Sequence, residues 1–195
     1  MSFLLGLTGS IGMGKSTTAQ MFRDLGHPVW DADAAVHRLY APQGAAVDAV
    51  AAAFPSARNG DVIDRDRLKT ALAGDPSALA RLETIVHPLV AKDRDAFLAA
   101  QGDAPLIVLD IPLLFESSAP PRLDGIAVVT TDPETQRARV LSRPGITAET
   151  LQMILARQMP DAEKRARANW IIPTDSLDAA RQAVNAIITE VTTDA

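Results

Sequence analysis

The eight residues Gly9-Ser10-Ile11-Gly12-Met13-Gly14-Lys15-Ser16 restrict this chain more than any other feature of it. They fit the P-loop pattern G-x-x-x-x-G-K-[ST], and their flanks agree with it. Phe3 to Thr8 is short and apolar, as a buried strand is. Ser16 to Leu25 carries Ala19, Phe22 and Leu25 at helical spacing, with Gly26 as a stop. Glycines at 9, 12 and 14 let the backbone fold tightly and turn N–H groups inward, making a nest for phosphate oxygens. The helix that begins near Ser16 adds its positive end. In such a loop Lys15 reaches the β- and γ-phosphates and Ser16 binds Mg²⁺. The motif specifies a nucleoside triphosphate and leaves the reaction open.

Composition narrows the classes. A chain of 195 residues holds one core with small insertions and needs no staple to stabilise it. The absence of Cys excludes a disulfide scaffold, a thiol nucleophile and a thiolate metal site, and it fits a reducing compartment. His27, His37 and His87 lack metal-ligand spacing. No run approaches the roughly 18 apolar residues of a membrane span. Met1 to Leu7 has no basic residue before it and is too short for a signal peptide, so the chain is expected to be cytoplasmic. A net charge of -5 argues against nucleic-acid or anionic-membrane binding. Residues 132–168 nevertheless hold seven basic and five acidic side chains, against 12 and 19 elsewhere. That local excess suits either an anionic ligand or a solvated helix surface.

Further along, Val29-Trp30 reads as a second strand ending at Asp31, and Asp33 to Tyr40 as a helix. Leu106–Asp110, Ile126–Thr130 and Trp170–Ile172 read as three more strands, each apolar and short. Between 44 and 100 the pattern is helical, broken by Pro55, Gly60, Gly74-Asp75-Pro76 and Pro88, without strand alternation; it is expected to be an inserted helical subdomain. Thr147 opens a short helix, and Leu177 to Val191 is a closing amphipathic one. Strands alternating with helices predict an α/β fold with a largely parallel sheet.

A guanine-specific enzyme would carry Asn-Lys-x-Asp, which is missing, and a motor ATPase a strand ending in Asp-Glu, where this chain has Asp110-Ile111-Pro112. Small size and a helical insert favour a kinase of a small molecule. Asp31 and Asp33 follow the second strand; if that strand neighbours the first, they flank the phosphate loop, since ligands sit beyond the carboxyl ends of such strands. Asp33 then either accepts a proton and organises Mg²⁺ or caps the next helix. Asp110 is either a residue facing Mg²⁺ or a turn residue. Arg139 and Arg143 share a helix face if the helix extends that far, and arginines there would meet a transferring phosphoryl group.

Taken together, Leu7-Thr8-Gly9-Ser10-Ile11-Gly12-Met13-Gly14-Lys15-Ser16-Thr17, Asp31-Ala32-Asp33, His87-Pro88-Leu89-Val90, Asp110-Ile111-Pro112-Leu113-Leu114-Phe115-Glu116, Pro133-Glu134-Thr135-Gln136 with Arg139 and Arg143, and Arg157-Gln158-Met159 resemble the dephospho-CoA kinases from Leu5 to about Ile172. The resemblance implies a P-loop kinase core with a five-stranded parallel sheet flanked by helices (about 1–43, 101–138 and 161–195). It also implies a helical substrate-binding insert (about 44–100) and a small lid (about 139–160). It implies transfer of the γ-phosphoryl of ATP to the ribose 3′-hydroxyl of dephospho-CoA, giving CoA and ADP. The implied catalytic residues are Asp33, Lys15 and Arg139. ATP would be held by Gly9, Gly12, Met13, Gly14, Lys15, Ser16, Thr17 and Arg143, the substrate by His87 and Asp33, and Mg²⁺ by Ser16, Asp33 and Asp110. A nucleoside or nucleoside monophosphate kinase, or a regulatory module that binds nucleotide without turnover, are the alternatives. Four positions, in three places, depart from the family's usual pattern. Met13 stands where a small residue is usual, Pro144 where an acidic one is, and Pro173-Thr174 where Asp-Asn is. The resemblance leaves open whether His87 before Pro88 meets substrate or merely caps or breaks a helix, and it says nothing of oligomeric state.

Overall fold

A computed structural model describes residues 2–117 and 120–193. The chain forms two compact units, one of Met1–Trp30 with Asp103–Ala195, the other of Asp31–Gly102. In the first, β1 (Phe3–Thr8), β2 (Val29–Asp31), β5 (Leu106–Asp110), β6 (Gly125–Thr130) and β7 (Trp170–Pro173) make a five-stranded sheet in the order β2-β5-β1-β6-β7. The pairings of β1 with β5 and β6, and of β6 with β7, are parallel. All five residues of β5 are buried, as expected of a strand covered on both faces. The expected five-stranded parallel sheet is present, with one change of order. β5, not β2, neighbours β1, and its register sets Asp110 opposite Leu7 at the carboxyl end. The carboxylate delivered to the flank of the loop through the sheet is therefore that of Asp110.

Helix α1 (Lys15–Asp24) packs Ala19, Met21 and Phe22 into the core around Leu5, Leu7 and Val129. The closing helix α9 (Leu177–Thr193) adds Ala180, Val184, Ile187 and Val191, one stripe at three- and four-residue steps. Between β6 and β7 lie α6 (Pro133–Leu141), α7 (Ala148–Leu155) and α8 (Asp161–Ala166). Asp132 caps α6 by accepting from Thr135 N, and Thr147 caps α7 by accepting from Thr150 N.

The second unit has its own core, around Leu39, Val50, Phe54, Leu68, Leu82 and Val86. It comprises α2 (Ala32–Tyr40), α3 (Val47–Ala53), a 3₁₀ turn at Pro55–Ala57, α4 (Arg65–Leu72) and α5 (Pro76–Ala99). Two readings of this stretch are corrected. A hairpin of β3 (Arg58–Asn59) and β4 (Val62–Ile63) sits inside it, turned by Gly60 at φ 64°. Strands of two residues are too short to show an alternating pattern. The break expected at Pro88 does not occur, because α5 runs through it for 24 residues. Burial of Leu82 and Val86 holds the helix together across the hydrogen bond that a proline cannot donate.

Candidate active site

The phosphate loop joins β1 to α1 with Gly12 at φ 78° and Gly14 at φ 86°, backbone angles that a side chain would strain. Gly14 is also the N-cap of α1, so the first helical N–H groups, which have no partner inside the helix, face the loop. The loop is tied down on several sides. Ile11 N–H donates to Gln158 Oε1 at 3.1 Å, and Ile11 C=O accepts from Gln136 Nε2 at 2.8 Å. Met13 is buried, and its sulfur accepts from Thr131 N. The unusual size of Met13 is thus absorbed by the core. Ser16 and Thr17 are exposed at the start of α1.

Lys15 Nζ donates to Asp110 Oδ1 at 2.5 Å. The pairing follows from the register noted above, since β5 ends beside the loop. Asp110 is 2% exposed, so its charge sits in a poorly solvated place where an ammonium partner counts strongly. Asp110 is thus a buried strand-end carboxylate that faces the loop lysine, and not a turn residue.

Arg139 lies in the last turn of α6 and is half-buried. Its Nη1 donates to Thr174 Oγ1 at 3.1 Å and its Nη2 to Thr174 C=O at 2.7 Å. Arg143 is exposed and lies past the end of α6, whose C-cap is Ser142. The two arginines therefore do not share a helix face. A helix broken by Pro144-Gly145, with Gly145 at φ 78°, cannot carry both. Arg137, on α6, is exposed.

Where the stretch between α6 and α8 rejoins the core, Glu116 and Lys164 pair. Lys164 is fully buried, with Nζ 2.8 Å from Glu116 Oε1, and the same oxygen accepts from Met159 N at 2.8 Å. Among the described residues the other oxygen, Oε2, is buried without a hydrogen-bond partner. Burial alone would raise the Glu116 carboxyl, but the Lys164 ammonium and the Met159 amide outweigh it and hold the carboxyl below its usual range. A cavity of about 650 Å³ nearby is lined by Met13, Thr130, Asp132, Gln136, Asp161 and Asp175 among others. Three carboxylates on its wall against one cation, Arg165, which pairs with Asp161, leave it acidic on balance.

Asp33 and His87 belong to the second unit. Asp31, not Asp33, is the N-cap of α2, accepting from Ala34 N at 2.9 Å. The capping alternative for Asp33 is thereby removed, and its carboxylate stands in the first turn of α2. His87 is exposed in the middle of α5 and neither caps nor breaks it. Gln136 and Gln158, quoted above only as parts of the family motifs and given no role, grip the loop, and Thr174 figured there only as a departure. Nothing local marks such contacts, because they join residues far apart in the chain.

The dephospho-CoA kinase family model matches residues 3–179. A dephospho-CoA kinase of Jannaschia sp. (strain CCS1) is 59% identical over 98% of this chain and 98% of its own length. One from Cereibacter sphaeroides is 57% identical over 97% of this chain and 95% of its own. Among solved structures, TT1252 from Thermus thermophilus superposes with a TM-score of 0.86 at 35% identity, covering 97% of both chains. Dephospho-CoA kinase from Campylobacter jejuni shares the fold, with a TM-score of 0.67 at 24% identity over 98% of both chains. A complete phosphate loop at the carboxyl end of β1, matched along nearly the whole chain by these relatives, places this chain in the dephospho-CoA kinase family.

Proposed function

We propose that the chain transfers the γ-phosphoryl group of ATP to the ribose 3′-hydroxyl of dephospho-CoA, releasing CoA and ADP, and that it does so in the cytoplasm. The observation that carries this is the phosphate loop with its lysine held on Asp110, in a chain that the family model covers almost end to end. The loop amides and the start of α1 bind the phosphates, with Gly9, Gly12, Met13, Gly14, Ser16 and Thr17 lining them. Lys15 lies on a short tether to Asp110 and follows the phosphoryl group as negative charge shifts toward the leaving ADP. Asp33 accepts the proton of the attacking 3′-hydroxyl as the new O–P bond forms and the bond to ADP breaks. Arg139 and Arg143 offset phosphate charge, residues 139–160 close as a lid, and His87 meets the acceptor from the insert.

Among the described residues no three His, Cys, Asp or Glu side chains gather into a metal site. Mg²⁺ asks for less, since it keeps its waters and takes one or two protein oxygens beside those of the phosphates. The exposed hydroxyl of Ser16 and the carboxylate of Asp110 are donors of that kind, and Asp33 is assigned with them. When bound, the ion neutralises charge on the β- and γ-phosphates. Incubation with ATP, Mg²⁺ and dephospho-CoA, read by mass, is expected to give CoA. Failure to form it, with a nucleoside or nucleoside monophosphate phosphorylated instead, would overturn the assignment.

A further inference from the structure

Thr174 stands directly after β7, is 7% exposed, and touches two parts of the nucleotide machinery at once. Its hydroxyl donates to Met13 C=O at 2.8 Å, with a weaker branch to Thr130 C=O at 3.2 Å. The same oxygen accepts from Arg139 Nη1, and its own C=O accepts from Arg139 Nη2. Its backbone N–H donates to Thr130 C=O at 2.8 Å, so the residue is anchored to β6 and cannot drift. Its side chain also fills the space beside the loop: a Cβ built on Gly14 would come within 3.1 Å of Thr174 Cβ and Oγ1.

The contact with Met13 has a consequence for the loop. Met13 C=O and Gly14 N–H belong to one planar trans peptide and point in opposite directions. A hydrogen bond that holds the carbonyl toward Thr174 turns the Gly14 amide the other way, away from Thr174. We propose that Thr174 is a positioning residue of this kinase, which aims the Gly14 amide at the nucleotide phosphates and holds the Arg139 guanidinium in register with it. A single hydroxyl does both, as donor to the loop and acceptor from the arginine. In this chain a β-branched hydroxyl side chain, stiff about χ1, serves as the brace.

The inference rests on the kinase reading for the turnover measurements and not for binding. The test therefore begins with ATP binding by calorimetry, without acceptor. Thr174→Val keeps shape and removes the hydroxyl, and Thr174→Ser keeps the hydroxyl. Thr174→Val is expected to weaken ATP binding about tenfold or more, the range for leaving a buried carbonyl and a guanidinium short of a partner. Thr174→Ser is expected to stay within about threefold of wild type. In turnover, KM for ATP should rise while KM for dephospho-CoA holds, a split that a general loss of packing would not produce. ATP binding by Thr174→Val within twofold of wild type overturns the proposal. So does a Ser variant that loses binding as Val does, or a parallel rise in both KM values. Should Thr174→Val fail to fold, Thr174→Ala against Thr174→Ser makes the same comparison with the same outcomes. Absence of CoA formation by the wild type, with ATP binding intact, would instead count against the kinase assignment.

Discussion

Lys15 and Arg139 are each held by a named neighbour, Asp110 and Thr174, and that separates the effects of substitutions. Lys15 is the one loop residue whose charge can move with the phosphoryl group, and Asp110 keeps it within reach. Lys15→Ala is expected to lower kcat by about 100-fold or more, measured by coupled ADP release, while nucleotide binding falls less. For Asp33 the assignment of the cap to Asp31 sharpens the test. Asp33→Asn should leave the melting temperature within about 2 °C and reduce the rate by about 100-fold or more, the usual reach of a general base. A rate near wild type with a lowered melting temperature would return Asp33 to a structural role. Asp33 also shows how far residue-level reading goes. A carboxylate at a strand-to-helix junction is conspicuous in sequence, yet which of two neighbours caps the helix depends on backbone angles fixed only on folding.

At the level of elements, the segment carrying α7 is moored at its far end by the ion pair between Glu116, after β5, and Lys164 in α8. Removing one partner of a buried pair leaves the other uncompensated, so Glu116→Ala is expected to lower stability by about 3 kcal/mol or more and the melting temperature by roughly 6–12 °C. The pH dependence has a definite sign. The Glu116 carboxyl is held below its usual range, so its contribution is complete above the unfolded value near 4.3 and is lost as pH falls through the lowered folded value. The gap in melting temperature between wild type and Glu116→Ala should therefore be widest above about pH 5 and narrow as the pH is taken below the ordinary carboxylate range. In α5 the opposite change is expected. Pro88→Ala restores the missing amide and should raise stability by on the order of 2 kcal/mol in denaturant unfolding. These two elements mark where local signals fail. Pro88 reads as a stop, because only the packing of Leu82 and Val86 carries the helix past it. Glu116 and Lys164 carry no local sign of each other, because their pairing spans the whole stretch between β5 and α8. Elements whose pattern is long or strongly apolar, such as β1, β5, β6 and α9, are legible from sequence.

For the molecule as a whole, what stayed hidden is order and distance. The apolar runs announce a parallel sheet, but nothing in them says that β5 intervenes between β1 and β2. β1 is the central strand, and both of its neighbours follow the insert, with Phe3 opposite Leu106 and Leu5 opposite Gly125. The second unit is contiguous in sequence, from Asp31 to Gly102, and has its own buried cluster. During synthesis that unit can gather its core while β1 still waits for partners, and long-range parallel pairing is slow once they arrive. The brace on the loop comes later still, since Thr174 lies 161 positions after the Met13 carbonyl it holds. A ribosome-bound series of nascent chains, probed with a fluorescent ATP analogue, should gain binding only after Thr174 has emerged. The motif is written 161 positions before the residue that completes the site it names. A nucleotide held at full strength by this protein therefore reports that Thr174 has been made and folded into place, and a fragment that stops before it carries the motif with a weaker grip.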